Sequence, residues 1–287
     1  MAKKPTKRSK PSKRKSAARA PSAVRILHTH AIARFGWVPD LPDARDLMYS
    51  APAAVRLPPH VDLSPHCPPV YNQGQLGSCT GNAIAAAIQF DRMKQRLERA
   101  SLVPSRLFIY YNERVIENSV GTDSGAQIRD GIKSVNKLGA CYEGKATGQW
   151  PYDIDRFADA PPKSCFTAAA KDKALSYSRI ANTNLDQLKG CLASGYPFVF
   201  GFTVYESFQS PQVARTGVLG MPRRSETVVG GHAVLGVGYD DARKTFLVRN
   251  SWGAKWGKKG YFTIPYDYLT NNNLADDFWT IRIVSGN

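Results

Sequence analysis

Five cysteines and five histidines are the side chains of this 287-residue chain best able to do nucleophilic chemistry. Cys79 stands out by its surroundings. It lies in Asn72-Gln73-Gly74-Gln75-Leu76-Gly77-Ser78-Cys79-Thr80-Gly81-Asn82, immediately ahead of an apolar run at helical spacing. At the start of a helix the free N–H groups and the dipole favour an anion, which lowers the thiol pKa. Flanking glycines let a substrate backbone come close. Six residues upstream, Gln73 carries an amide that could donate to a developing oxyanion beside the backbone N–H of Cys79.

A thiolate nucleophile wants an imidazole. His28 and His30 fall in a segment without strong periodicity, and His60 and His66 sit among prolines. His232 alone heads an expected strand, in Gly230-Gly231-His232-Ala233-Val234-Leu235-Gly236-Val237-Gly238-Tyr239. Asn250, in Arg249-Asn250-Ser251-Trp252-Gly253, offers a side-chain oxygen to the ring N–H that does not face sulfur. Trp252 would keep water from that hydrogen bond. Taken singly, Cys79 could be a buried core thiol, Gln73 a loop amide and Asn250 a strand-end amide; together they spell nucleophile, base, orienting group and oxyanion donor.

The elements that must position these groups follow from periodicity. Helices are expected from Cys79 to about Leu97, over Ser105–Ile116 and over Ala126–Leu138, with a shorter one opening at Asn184 as its cap. Strands are expected over Phe198–Val204, His232–Tyr239, Thr245–Asn250, Gly260–Pro265 and Phe278–Val284, all rich in Val, Phe, Tyr and Ile. A helical first half and an antiparallel β second half make an α+β arrangement with a seam between two lobes.

These motifs resemble the papain-like cysteine peptidases: Gln73-Gly74-x-x-Gly77-Ser78-Cys79, then Gly231-His232-Ala233 with Gly238-Tyr239, then Asn250-Ser251-Trp252-Gly253-x-x-Trp256-Gly257-x-x-Gly260-Tyr261. Val61-Asp62, Val70-x-Asn72-Gln73 and Trp150-Pro151-Tyr152 are similar to further family landmarks, and the likeness runs from about Leu57 to the C-terminus. It is closer to bacterial members with a short N-terminal arm than to lysosomal ones. The resemblance implies a two-lobe fold, a helical N-terminal lobe against a β-barrel-like C-terminal lobe, with the active-site cleft between them. It implies an endopeptidase acting through a Cys79 thioester; Gly125, in Asp123-Ser124-Gly125, resembles the family's glycine wall for substrate backbone or simply begins a helix. It also implies a preference for an apolar side chain two residues before the cut, Gly231 leaving that pocket open and uncharged. Leu76 stands where the family usually has a disulfide cysteine, and Thr80 where an aromatic residue usually follows the nucleophile. The same acyl-thioester chemistry could serve a transpeptidase or isopeptidase. Cys67, Cys141, Cys165 and Cys191 read as structural, in two bridges or none, and no metal-ligand spacing or cofactor motif is seen.

The formal charge of +16 is uneven: residues 1–19 supply nine lysines and arginines and no acid, leaving +7 on the rest. Residues 1–23 are read as a disordered basic tail. Such a tail could contact a polyanion, nucleic acid or an anionic surface, and a scaffolding protein with a secondary peptidase core is the competing reading. Residues 24–57 form a Pro-punctuated arm whose Phe35, Trp37, Leu41 and Tyr49 need somewhere to bury; the interlobe groove is the expected receptor, which makes the arm a prosegment restraining the catalytic domain, 58–287. A peptide or protein substrate, no membrane span, a monomer and no evident signal peptide are expected, with a cytoplasmic location by default and non-classical secretion as its alternative.

Overall fold

The computed structural model describes residues 1–2, 35–52 and 56–285, so the basic tail lies outside the described residues, as does the start of the arm. Helix α1 (Cys79–Lys94) is buried around its whole circumference, from Cys79 to Arg92. Its Ala83, Ala85, Ala86 and Ala87 carry so little bulk that strands can approach it closely. It packs on α2 (Arg106–Ile116) and α3 (Ile128–Lys137) on one side and on the sheet on the other. Ser105 caps α2, accepting from Phe108 N–H.

The sheet holds seven strands: β1 (His60–Asp62), β2 (Ala174–Arg179), β3 (Phe198–Tyr205), β4 (Val228–Asp240), β5 (Thr245–Arg249), β6 (Tyr261–Pro265) and β7 (Ala275–Val284). Their order is β2-β7-β3-β4-β5-β6, with β1 added to the far end of β4, and every pairing is antiparallel. The path runs from β2 to β6 without closing, so the expected antiparallel lobe is present as an open sheet rather than a closed barrel. One face covers α1 through Val199, Leu235, Val237, Trp279 and Ile281. The other carries an aromatic core of Phe198, Phe200, Phe202, Phe208, Phe246, Phe262 and Phe278.

Four short helices fill the connections: α4 (Lys163–Ala169), α5 (Leu185–Ala193), α6 (Pro211–Thr216) and α7 (Tyr266–Leu269). Asn184 caps α5 as expected, accepting from Asp186 and Gln187 N–H. Cys191 lies on the buried face of α5. All five cysteines are free thiols, which decides between two bridges and none. Among the described residues no helix is long and apolar enough to cross a membrane, and no cluster of metal-binding side chains occurs.

Candidate active site

Cys79 is the first residue of α1, as its motif requires, and is fully buried. The turn ahead of it is built by side chains: Asn82 Nδ2 donates to Ser78 O at 2.9 Å, and Gly77 N–H donates to the Asp123 carboxylate at 3.0 Å. Across the lobe boundary, Ala233 N–H donates to Cys79 Sγ at 3.4 Å, placing the residue after His232 against the sulfur. His232 does not head its strand. β4 starts at Val228, so His232 lies inside it, opposite Phe202 of β3.

The His232 ring is bound on one side only. Nε2 meets Asn250 Oδ1 at 2.9 Å, while Nδ1 is buried with no partner among the described residues. Asn250 Oδ1 also accepts from Ser251 N–H at 2.8 Å. The Trp252 ring lies 5.0 Å from the imidazole at 30°, the shield the sequence suggested. Gln73 is pinned at both ends of its amide: Nε2 donates to Leu76 O at 3.0 Å, and Oε1 accepts from Ser251 Oγ at 2.6 Å. One amide hydrogen of Gln73 is thus left over. Cys79, His232, Asn250, Gln73 and Trp252 all converge.

The space above them is filled by the arm. Gly36 N–H faces the Cys79 sulfur. Trp37 N–H donates to Gly231 O at 3.0 Å, and Phe35 sets its ring 6.0 Å from both His232 and Trp252. Ala126 N–H donates to Gly36 O at 2.8 Å, and Val38 N–H to Ala126 O at 3.0 Å, a parallel bridge. The arm backbone thus pairs with Ala126, the residue after Gly125. Gly125 serves it indirectly: its φ is +76°, and a Cβ there would strike Gly36 C at 2.7 Å. Gly231 leaves room for Trp37, whose ring and carbonyl lie 2.7 Å from where its Cβ would be.

Further along, the arm is held by charge. Arg129 donates through Nε and Nη2 to Asp46, at 3.0 and 2.5 Å, and through Nη1 to Leu41 O. Arg179 bridges Asp46 of the arm to Asp276 and Asp277 of β7. Asp277 Oδ2 accepts from Trp37 Nε1 at 3.0 Å and Asp40 N–H at 2.8 Å. Of the four expected anchors, Phe35 and Trp37 dock at the site and Tyr49 is half-buried under Arg282, but Leu41 is 72% exposed.

Burial under this cover sets the protonation states. It pushes the Cys79 thiol up to about 12, against the N–H donors of Ala233 and Gly36, and lowers His232 to about 4. Covered, the couple is neutral thiol and neutral imidazole. Behind the helix, Thr80 Oγ1 donates to the fully buried Glu113 carboxyl group at 2.6 Å, and burial raises Glu113 to about 8. Asp277 is raised to about 7 by burial and by the Asp40 carboxylate beside it. Sequence reasoning missed Glu113, Ala126 and Asp277. Thr80 in an unusual place and the paired acids Asp276-Asp277 inside a strand were the available signals.

The family model for "Papain family cysteine protease" matches residues 57–278. An uncharacterized peptidase C1-like protein of Acanthamoeba polyphaga mimivirus is 49% identical over 221 residues, 75% of this chain and 70% of that one. Mouse cathepsin K is 30% identical over 224 residues, 76% of this chain and 63% of its own length. Among solved structures, xylellain, a cysteine protease from Xylella fastidiosa, superposes with a TM-score of 0.78 at 46% identity, covering 86% of this chain and 95% of that one. Procathepsin L 3 of Tenebrio molitor, at 18% identity and a TM-score of 0.64 over 89% of this chain and 78% of its own, shares the fold.

Proposed function

Since the chain belongs to the papain family of cysteine proteases, we propose that it is an endopeptidase working through a Cys79 thioester and held in check by its own arm. The observation that carries the catalytic assignment is the one-sided tether of His232, with Nε2 on Asn250 and Nδ1 left buried and unpartnered on the lobe whose Ala233 touches the sulfur. Nδ1 takes the thiol proton as the Cys79 sulfur adds to the scissile carbonyl. The Cys79 N–H and the spare Gln73 amide hydrogen stabilise the oxyanion, and Ser251 and Leu76 hold that amide in place. Collapse of the adduct breaks the C–N bond, with His232 protonating the leaving amine. Water then hydrolyses the thioester with His232 as base.

The restraint rests on Phe35-Gly36-Trp37-Val38, which lies on Cys79, His232 and the Ala126 wall where substrate backbone would run. The peptidase assignment is tested by Cys79→Ala. Thiol-inhibitor-sensitive cleavage of a fluorogenic peptide should vanish in that variant while its thermal melt is kept; cleavage persisting in Cys79→Ala overturns the assignment.

A further inference from the structure

Trp37 seats its indole in a pocket next to the reacting sulfur. The residue before it faces Cys79, and its own N–H is held by Gly231 O at 3.0 Å. Two glycines on neighbouring strands make the room. A Cβ on Gly231 would lie 2.7 Å from the indole, and one on Gly201 would fall inside the ring's contact distance. The far end of the pocket is polar: Trp37 Nε1 donates to Asp277 Oδ2 at 3.0 Å, and Asp277 is fully buried. The sequence reading expected this pocket to be uncharged; its end wall is a carboxyl group.

We propose that this pocket selects, in a substrate, an aromatic side chain bearing a ring N–H, tryptophan first, with Asp277 as the specificity-determining acceptor. The proposal rests on the peptidase reading above and names its substrate class. When the arm leaves, Asp277 Oδ2 loses both of its arm donors, Trp37 Nε1 and Asp40 N–H. A benzyl or isobutyl side chain entering the pocket would leave that buried oxygen without a partner, whereas an indole restores one donor in the position seen here. Arg179 Nη2 occupies the other oxygen at 3.0 Å and is shared with Asp276, so Oδ2 is the acceptor left for the entering side chain.

Two measurements on the full chain decide it. The first is the rate at which an epoxysuccinyl reagent labels Cys79 in the wild-type chain and in Trp37→Phe, which keeps a ring in the pocket and removes the N–H. Labelling should quicken about tenfold, the loss of one hydrogen bond to a buried carboxylate. The second is cleavage by the Gly36→Ala chain, whose arm seats less often because a Cβ there would run into the Gly77 backbone. Its peptide substrates differ only in Trp, Phe or Arg at the pocket position, and Trp should exceed Phe in kcat/KM by tenfold or more. Labelling of Trp37→Phe at the wild-type rate, equal cleavage of Trp and Phe peptides, or Arg as the best residue would each overturn the proposal. Should Cys79 label but no peptide be cleaved, the peptidase reading fails, and the Trp37→Phe labelling ratio alone decides the pocket.

Discussion

Gly36→Ala isolates the arm from the catalytic machinery. In the docked arm Gly36 passes so close to Gly77 that an added Cβ would lie 2.9 Å from Gly77 Cα and closer still to its carbonyl. The obstacle is backbone, directly ahead of Ser78 and Cys79, and cannot swing aside as a long side chain would. Overpacking at a fixed contact costs about 1–3 kcal/mol, and every 1.36 kcal/mol is tenfold in a population. The uncovered fraction should therefore rise about 5- to 150-fold. The assay is pseudo-first-order labelling of Cys79 by a thiol-directed epoxide, with Leu41→Ala as control because Leu41 is exposed and touches neither Cys79 nor His232. The control should stay within about twofold of wild type, the usual range for an exposed position. Equal labelling of Gly36→Ala and wild type would refute the reasoning, since the arm could not then be seated over the sulfur as described.

Two titrations add further tests. Asp277 is raised by burial and by Asp40, which the docked arm brings beside it; a carboxyl raised in the docked state stabilises docking below its ordinary value and loses that contribution as pH rises to about 7. The ratio of Gly36→Ala to wild-type labelling, which cancels the intrinsic titration of the thiol, should fall from pH 5 to pH 7.5; a flat or rising ratio speaks against the carboxyl pair as a latch. Glu113, raised to about 8 by burial, is a protonated hydrogen-bond partner at neutral pH, so its share of stability is present at low pH and lost as pH climbs through about 8. Glu113→Gln should melt above wild type at pH 9 and close to it at pH 6, whereas Glu113→Ala should lose about 2–4 kcal/mol from the stranded Thr80 hydroxyl and the cavity; identical pH profiles for wild type and Glu113→Gln would count against a buried neutral acid.

What could be read ahead of the structure was what repeats along the chain or sits in a short motif. The bounds of α1, α2, α3, β3, β5 and β6 agree with the sequence pattern to within about three residues, because α3 and β6 bury a regular stripe while α1 and β3 are almost wholly buried apolar runs. β4 was read four residues short because Val228-Val229-Gly230-Gly231 is exposed or half-buried and glycine-rich, with no alternation to see. β2, α4 and α6 were missed for a similar reason: only Ala174 of β2 is buried, and α6 buries Val213 alone. At the site, Cys79, His232, Asn250, Gln73 and Trp252 were legible because each sits in a short motif of distinctive residues, although the motifs meet across stretches of chain such as the 178 residues between Gln73 and Ser251. Ala126 acts through its backbone, which no side chain advertises. Asp277 and Glu113 acquire their roles from Trp37 and Thr80, 240 and 33 residues away.

In the proposed function the cover and the protonation of the couple are one device and not two. A thiolate and an imidazolium each need water or opposite charge around them, and in a dry site both revert to neutral forms. Phe35 and Trp37 bury Cys79 and His232, so an arm that restrains the enzyme as proposed would also hold the nucleophile as a neutral thiol. Its departure exposes the sulfur at the N-terminus of α1, where the helix dipole favours the anion, and lets His232 keep the proton while Asn250 holds the ring. Asn250 stays bound to His232 and Gln73 to Ser251 and Leu76 in the covered state, so the framework needs no rebuilding. On this reading, activation is the lifting of about fifteen residues held by Ala126, Gly231, Arg129, Arg179 and Asp277, and the lobes beneath need not move.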